Sequence, residues 1–237
     1  MTKTTNKKNK KTVQTPKKFV LLFWLIVLGP FIGLGALLLI ASGSNLPNTE
    51  ALANPKTNLA TEVYTSDNEV IGRYYRENRS DIKFENLPPH LVEALVATED
   101  ARYWDHSGID FISLTRAVAY MGKRGGGSTI TQQLAKLLFT DEYEQVSFIE
   151  RALLQKPKEW IIAARLERQY TKEEIIALYL NRYDFLNQAV GIKSAAYIYF
   201  DKPVDSLNVA ESAMLVGMLK NSSLYNPLRR EEKVEKR

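Results

Sequence analysis

Hydrophobic positions fall into two regimes along the chain. From Phe19 to Ala41 they form an almost unbroken run with no charge. A helix needs about 20 such residues to cross the hydrocarbon core of a bilayer, so residues 19–41 are expected to form a transmembrane helix. Gly29, Pro30, Gly33 and Gly35 do not alter this, because backbone groups in lipid must bond within their own segment. Residues 42–60, rich in Asn, Ser, Thr, Ala and Pro, read as a linker. Glu62-Val63-Tyr64-Thr65 and Val70-Ile71-Gly72-Arg73-Tyr74-Tyr75 then read as a hairpin turning at Asp67-Asn68, a small collar near the membrane.

From Pro88 onward the spacing is helical and strand signals nearly vanish. Leu91, Ala94, Leu95 and Thr98 share a face, and Asp110 can cap a helix carrying Phe111, Leu114, Val118 and Met121. Gly125-Gly126-Gly127 breaks the pattern. Thr129 with Gln132 resembles a capping box ahead of the stripe Ile130, Leu134, Leu137, Leu138. A long helix is expected from Ser147 to Arg168, kinked at Pro157. Thr171 with Glu174 and Asn208 with Glu211 open two more helices, the second over Val209–Lys220, and another is expected over Ala189–Phe200. The architecture expected is mainly α, with no internal repeats.

Charge settles the anchor more than the domain. Lys3, Lys7, Lys8, Lys10, Lys11, Lys17 and Lys18 precede the apolar run with no acid among them. They outnumber the formal net charge of +5, so the rest of the chain is nearly neutral. A basic flank keeps residues 1–18 cytoplasmic and places the domain outside, and it suits anionic headgroups. No base-reading motif accompanies it, so nucleic acid is not an expected partner. A cleaved signal peptide is the alternative, with Ala41-Ser42-Gly43-Ser44 resembling a cleavage site, but the run is long for one. The absence of cysteine excludes disulfides, thiol catalysis and thiolate metal sites. Residues 61–228 are the length of one ordinary domain. Residues 229–237 read as a charged tail, a helix that starts and then stops, and the chain is expected to continue beyond it.

Several chemistries are missing. There is no Gly-x-Ser-x-Gly elbow and no His-Glu-x-x-His, and the only histidines are His90 and His106. Gly122–Thr129 has its lysine in the wrong place for a phosphate-binding loop. Three segments remain. Thr98–Gly108 sets Glu99, Asp100, aromatics and His106 at the end of an apolar helix, which suits either a base in a cleft or a plain polar helix end. Gly126–Lys136 feeds a glycine run into a helix whose Thr129, Gln132 and Lys136 share one face with Gln133 beside them, suited to an anion or to ordinary capping. Arg151, Gln155 and Glu159 form one polar strip, equally readable as a solvated face.

Taken in order, these segments resemble the motifs of the peptidoglycan glycosyltransferase domain (family 51), found in class A penicillin-binding proteins and also alone. The residues are Glu99-Asp100-x-x-Tyr103-x-x-His106-x-Gly108, Gly127-Ser128-Thr129-Ile130-Thr131-Gln132-Gln133-Leu134-x-Lys136 and Lys156-x-x-Glu159. Ile175-Ile176-Ala177-Leu178-Tyr179-Leu180-Asn181 and Gly191–Lys202 resemble the fourth and fifth motifs, and the likeness runs from Glu62 to Pro227.

The resemblance implies a lysozyme-like helical fold with a small membrane-proximal jaw, in a bacterial cell membrane. It implies lipid II and the growing glycan strand as substrates, with membrane lipids and other wall-building proteins as partners. Glu99 would be the general base, taking the acceptor 4-hydroxyl proton as that oxygen attacks the donor's anomeric carbon with inversion. Lys136, Arg151 and more weakly Lys156 would hold the diphosphate, whose concentrated charge fixed cations stabilise. Glu159 would be the second carboxylate, orienting the cations or helping to bind a divalent metal. Asp100, Ser128, Thr129, Gln132 and Gln133 would shape the sugar and phosphate sites, while His106 and Gly108 hold the loop. No tightly bound cofactor is implied, and a divalent cation, Mg²⁺ or Mn²⁺, is admitted as an aid to the diphosphate.

The chain departs from the family pattern at Leu137 (often Asn), Gln155 (often Arg), Ala177 (usually Glu) and Leu186 (near an expected Gly), and Pro157 is unusual. Two other readings stay open: a lysozyme-like hydrolase, against which the cations argue, and a non-catalytic membrane scaffold, which the departures favour.

Overall fold

The apolar run folds as helix α1 (Lys17–Ser42), 26 residues long with Pro30 inside it. Its most apolar window has a mean hydropathy of 2.5 and none of it is buried against the rest of the protein, so it is long and apolar enough to cross a membrane. This computed structural model describes residues 17–43, 46–47, 52, 61–64, 67, 70–74, 81–123, 125–139 and 155–237. Strands β1 (Thr61–Tyr64) and β2 (Val70–Tyr74) form the expected antiparallel hairpin, with Thr61 opposite Tyr74 and a bulge-like slip between Val63 and Tyr64.

The remainder is helical among the described residues: α2 (Pro89–Glu99), α3 (Phe111–Ala119), α4 (Ile130–Phe139), α5 (Lys156–Gln169), α6 (Lys172–Arg182), α7 (Ile192–Phe200), α8 (Val209–Leu219) and α9 (Glu231–Glu235). Helix α4 lies at the centre and packs on α5 and α6, while α2 packs on α8. One apolar core joins them through Leu91 and Leu95, Ile130 and Leu134, Ile162 and Leu166, Ile175, Ile176 and Tyr179, and Leu215 and Met218. Each such aliphatic side chain contributes about 1.5–3 kcal/mol by leaving water.

Local signals set most helix starts. Asp110 accepts from the backbone N–H groups of Ile112 and Ser113. Thr171 with Glu174 and Asn208 with Glu211 form complete capping boxes. The structure departs from expectation elsewhere. The Thr129 hydroxyl does accept from the Gln132 N–H, but the Gln132 side chain turns away to a tertiary acceptor, so the box is half formed. Helix α7 starts at Ile192, not Ala189, because Leu186, Asn187, Gln188 and Gly191 all have positive φ. Pro157 lies in the first described turn of α5; the expected start at Ser147, on which a kink at Pro157 depends, lies outside the described residues. The α3 stripe does not face the core. Phe111, Val118 and Met121 are 64%, 73% and 87% exposed, and no α3 residue is buried.

Candidate active site

Helix α2 ends at Glu99, so that side chain leaves the last turn beside the following loop. The loop is tied down at every few residues. Tyr103 is buried and donates its hydroxyl to the Lys172 carbonyl at 2.7 Å. His106 Nε2 lies 3.0 and 3.1 Å from the two Asp100 oxygens. A carboxylate only accepts, so Nε2 carries the proton and donates, consistent with a buried Nδ1 that has no partner among the described residues. Gly108 has φ +85°, and a Cβ there would meet the Ala163 carbonyl at 3.0 Å, so loop and α5 touch backbone to backbone.

The start of α4 closes on this loop. Asp100 Oδ2 accepts from the Ile130 N–H at 3.1 Å, placing a negative charge at the positive end of the helix. The Gly108 carbonyl accepts from the Thr129 hydroxyl at 2.7 Å and from Gln132 Nε2 at 3.2 Å. Thr129 and Gln132 are thus buried against the loop, while Lys136, sharing their helical face further along, is exposed. Gln133 points to the glutamate: its Nε2 donates to Glu99 Oε2 at 3.1 Å, and its Oε1 accepts from the Tyr179 hydroxyl at 2.8 Å. Behind α9, Arg237 brings a guanidinium nitrogen within 3.9 Å of Glu99 Oε1.

Also at the start of α4, Lys156 Nζ donates to Glu159 Oε2 at 2.5 Å and approaches the Ser128 hydroxyl at 3.4 Å. Glu159 is only 3% exposed, so the ammonium is the counter-charge that lets it be buried. Helix α4 therefore carries a cation and Ser128 at its start, Glu99 against Gln133 in its middle, and Lys136 one turn further on. Arg151 lies outside the described residues. Among the described residues no three His, Asp or Glu side chains converge on one point.

The structure adds residues to which no sequence signal gave a role. Glu167 on α5 accepts from Thr131 at 2.6 Å and from Lys172 at 2.8 Å, and Lys172 also donates to the His106 carbonyl at 2.6 Å. Its ammonium sits 4.3 Å from the Tyr103 ring centroid. Tyr179 belongs to the fourth motif, but its core-like spacing gave no hint of a polar partner. Burial first, then the Glu99 charge, pushes the Tyr179 phenol well up; burial, then the Glu167 and Asp100 charges, does the same for Tyr103. Both remain neutral hydroxyl donors at any working pH.

Residues 67–237 match a family model described as Transglycosylase. The chain is similar to penicillin-binding protein 1A of Pseudomonas aeruginosa, 39% identical over 188 residues, which are 78% of this chain and 22% of that protein. It is 37% identical over 187 residues to penicillin-binding protein 1A of Escherichia coli, covering 77% of this chain and 21% of that one. The protein of that name from Aquifex aeolicus is 36% identical over 225 residues, 93% and 30% of the two chains. In these comparisons the chain spans less than a third of each relative's length.

Proposed function

Because the chain belongs to the transglycosylase family, we propose that it is a peptidoglycan glycosyltransferase that polymerises lipid II at a membrane surface. The observation that carries this reading is the arrangement along α4: a partly buried Glu99 fixed by Gln133, with Lys156 beside Ser128 at one end and Lys136 a turn beyond. A base between cations suits attack by a hydroxyl on a carbon whose leaving group is a diphosphate.

In the step proposed, Glu99 takes the proton of the acceptor 4-hydroxyl as that oxygen bonds to the donor's anomeric carbon. The bond from that carbon to the diphosphate oxygen breaks on the opposite face, so configuration inverts and polyprenyl diphosphate leaves. Lys136, Lys156 and Arg151 take up its charge. Glu159 aims Lys156 through their 2.5 Å contact rather than touching substrate itself. Asp100, Thr129 and Gln132 hold the shape of the site from within, through the Ile130 N–H and the Gly108 carbonyl.

A polyprenyl tail stays in the bilayer, so the enzyme works at its surface. Helix α1 supplies the anchor, with the N-terminal lysines on the cytoplasmic side and the domain outside. The exposed Phe111, Ile112 and Val118 of α3 and Met121 just after it, with Trp104 nearby in sequence, supply an apolar face for the headgroup region.

The test is labelled lipid II in detergent with native and Glu99→Gln protein. Long glycan strands from the native protein alone support the reading. Fragments released from preformed glycan would assign a hydrolase, and no turnover of either substrate would leave a scaffold.

A further inference from the structure

The side-chain amide of Gln133 is held between two oxygens of different character. Its Nε2 faces a Glu99 carboxylate oxygen at 3.1 Å and its Oε1 faces the Tyr179 hydroxyl at 2.8 Å. We propose that Tyr179 is a positioning residue for Glu99, acting through Gln133. This rests on the assignment of Glu99 as the base.

An amide turned by half a rotation exchanges a donor for an acceptor while filling the same space, so its partners decide which way it points. Tyr179 is fully buried on α6, among core residues that include Ile175, Ile176 and Leu180. Its phenol stays protonated, because burial and the Glu99 charge both oppose ionisation. That single proton goes to Gln133 Oε1, which leaves the amide NH₂ directed at Glu99. In the turned amide, Oε1 would meet the carboxylate oxygen lone pair to lone pair, and the phenol proton would be stranded in an apolar wall. A buried donor without a partner is costly, so the hydroxyl selects the productive orientation.

The other charged and titratable groups around Glu99 do not duplicate this. Asp100 follows it in the chain but is taken by His106 and the Ile130 N–H. Tyr183, one turn beyond Tyr179, donates to the carbonyls of Met218 and Leu219. Arg237 stands 3.9 Å from Oε1, beyond hydrogen-bond distance. Lys136 lies one turn past Gln133 on α4. The relay also ties three helices together at the reacting carboxylate: α2 through Glu99, α4 through Gln133 and α6 through Tyr179. A base held within hydrogen-bond reach of its proton matters for the chemical step and not for ground-state binding.

The experiment uses the full chain in detergent with lipid II. Tyr179→Phe keeps the ring and deletes the hydroxyl. Its kcat should fall about tenfold while KM for lipid II stays within about twofold of native. In a Glu99→Gln background, where turnover is blocked, adding Tyr179→Phe should leave lipid II affinity unchanged. Gln133→Leu, which removes the middle of the relay at a half-buried position, should lower kcat at least as far, and it carries the test if Tyr179→Phe does not fold. A native kcat in either variant would overturn the relay, as would a loss confined to KM or to lipid II affinity. Turnover by Glu99→Gln at the native rate would overturn the base assignment and the relay with it. An inactive Glu99→Gln beside an unimpaired Tyr179→Phe would overturn the relay alone.

Discussion

Thr131 on α4 donates its hydroxyl to Glu167 on α5 at 2.6 Å, and Lys172 at the start of α6 donates to the same carboxylate oxygen at 2.8 Å. Three helices thus meet on one buried oxygen, and Lys172 extends the junction to the His106 carbonyl. Removing only the ammonium strands the Glu167 charge. Lys172→Met should destabilise the domain by about 3 kcal/mol, read from denaturant unfolding in detergent. Adding Glu167→Leu should recover most of that loss, because the stranded charge goes with it.

Leu186 adopts φ +64°, where a side chain is strained and glycine is not. Leu186→Gly should therefore raise stability by about 1 kcal/mol, offset in part by the apolar contact its half-buried side chain gives up. A rise in the thermal midpoint would bear this out, and a fall would show that packing outweighs the backbone.

Burial raises the Asp110 carboxyl, but hydrogen bonds from Ser113 and the Arg102 guanidinium outweigh it and hold it below its ordinary value. A depressed folded-state value gives stability that is fully present above the unfolded value, about 3.9, and lost as pH falls through the folded one. Asp110→Asn can still cap α3 but loses this charge. Native protein should exceed the variant by about 1 kcal/mol at pH 6, discounted for the partial exposure of Arg102, and the gap should close below about pH 4.

Gly108→Ala should lower stability and turnover together. Its Cβ would sit 3.0 Å from the Ala163 backbone at φ +85°, forcing the loop away from α5. The same carbonyl anchors Thr129 and Gln132, so the displacement passes into α4. The expected stability loss is about 2 kcal/mol, with a fall in kcat at temperatures where the variant remains folded. A variant as stable as native yet inactive would mean that the loop moves without strain.

What could be read in the sequence was what neighbouring residues decide among themselves. The boxes at Thr171 and Asn208 close within one turn and stand as expected. The Thr129 box does not, because Gln132 finds a better acceptor 24 residues away in the Gly108 carbonyl. Helix α7 starts later than its spacing predicts because Leu186 occupies a left-handed position that no glycine marks. Periodicity showed that α3 has an apolar face but not that Phe111, Ile112 and Val118 stay exposed on it. At the site, Glu99, Gln133 and Glu159 could be picked out by motif. Tyr179 and Glu167 acquire meaning only when separate helices are brought together.

Helix α3 has no fully buried side chain and is held by its cap, its own ladder and the contact of Leu114 and Ala117 with Gly127. Nine residues on their own are marginal in water, so α3 should open locally at little cost while α4 opens only with the whole domain. Its backbone amides should exchange with deuterated solvent far faster than those of α4. A lipid surface that covers Phe111, Ile112 and Val118 stabilises the closed form alone, so exchange in α3 should slow on binding vesicles while α4 stays unchanged. On the proposed function, the helix next to the Glu99 loop would then be ordered by the same surface that presents the substrate.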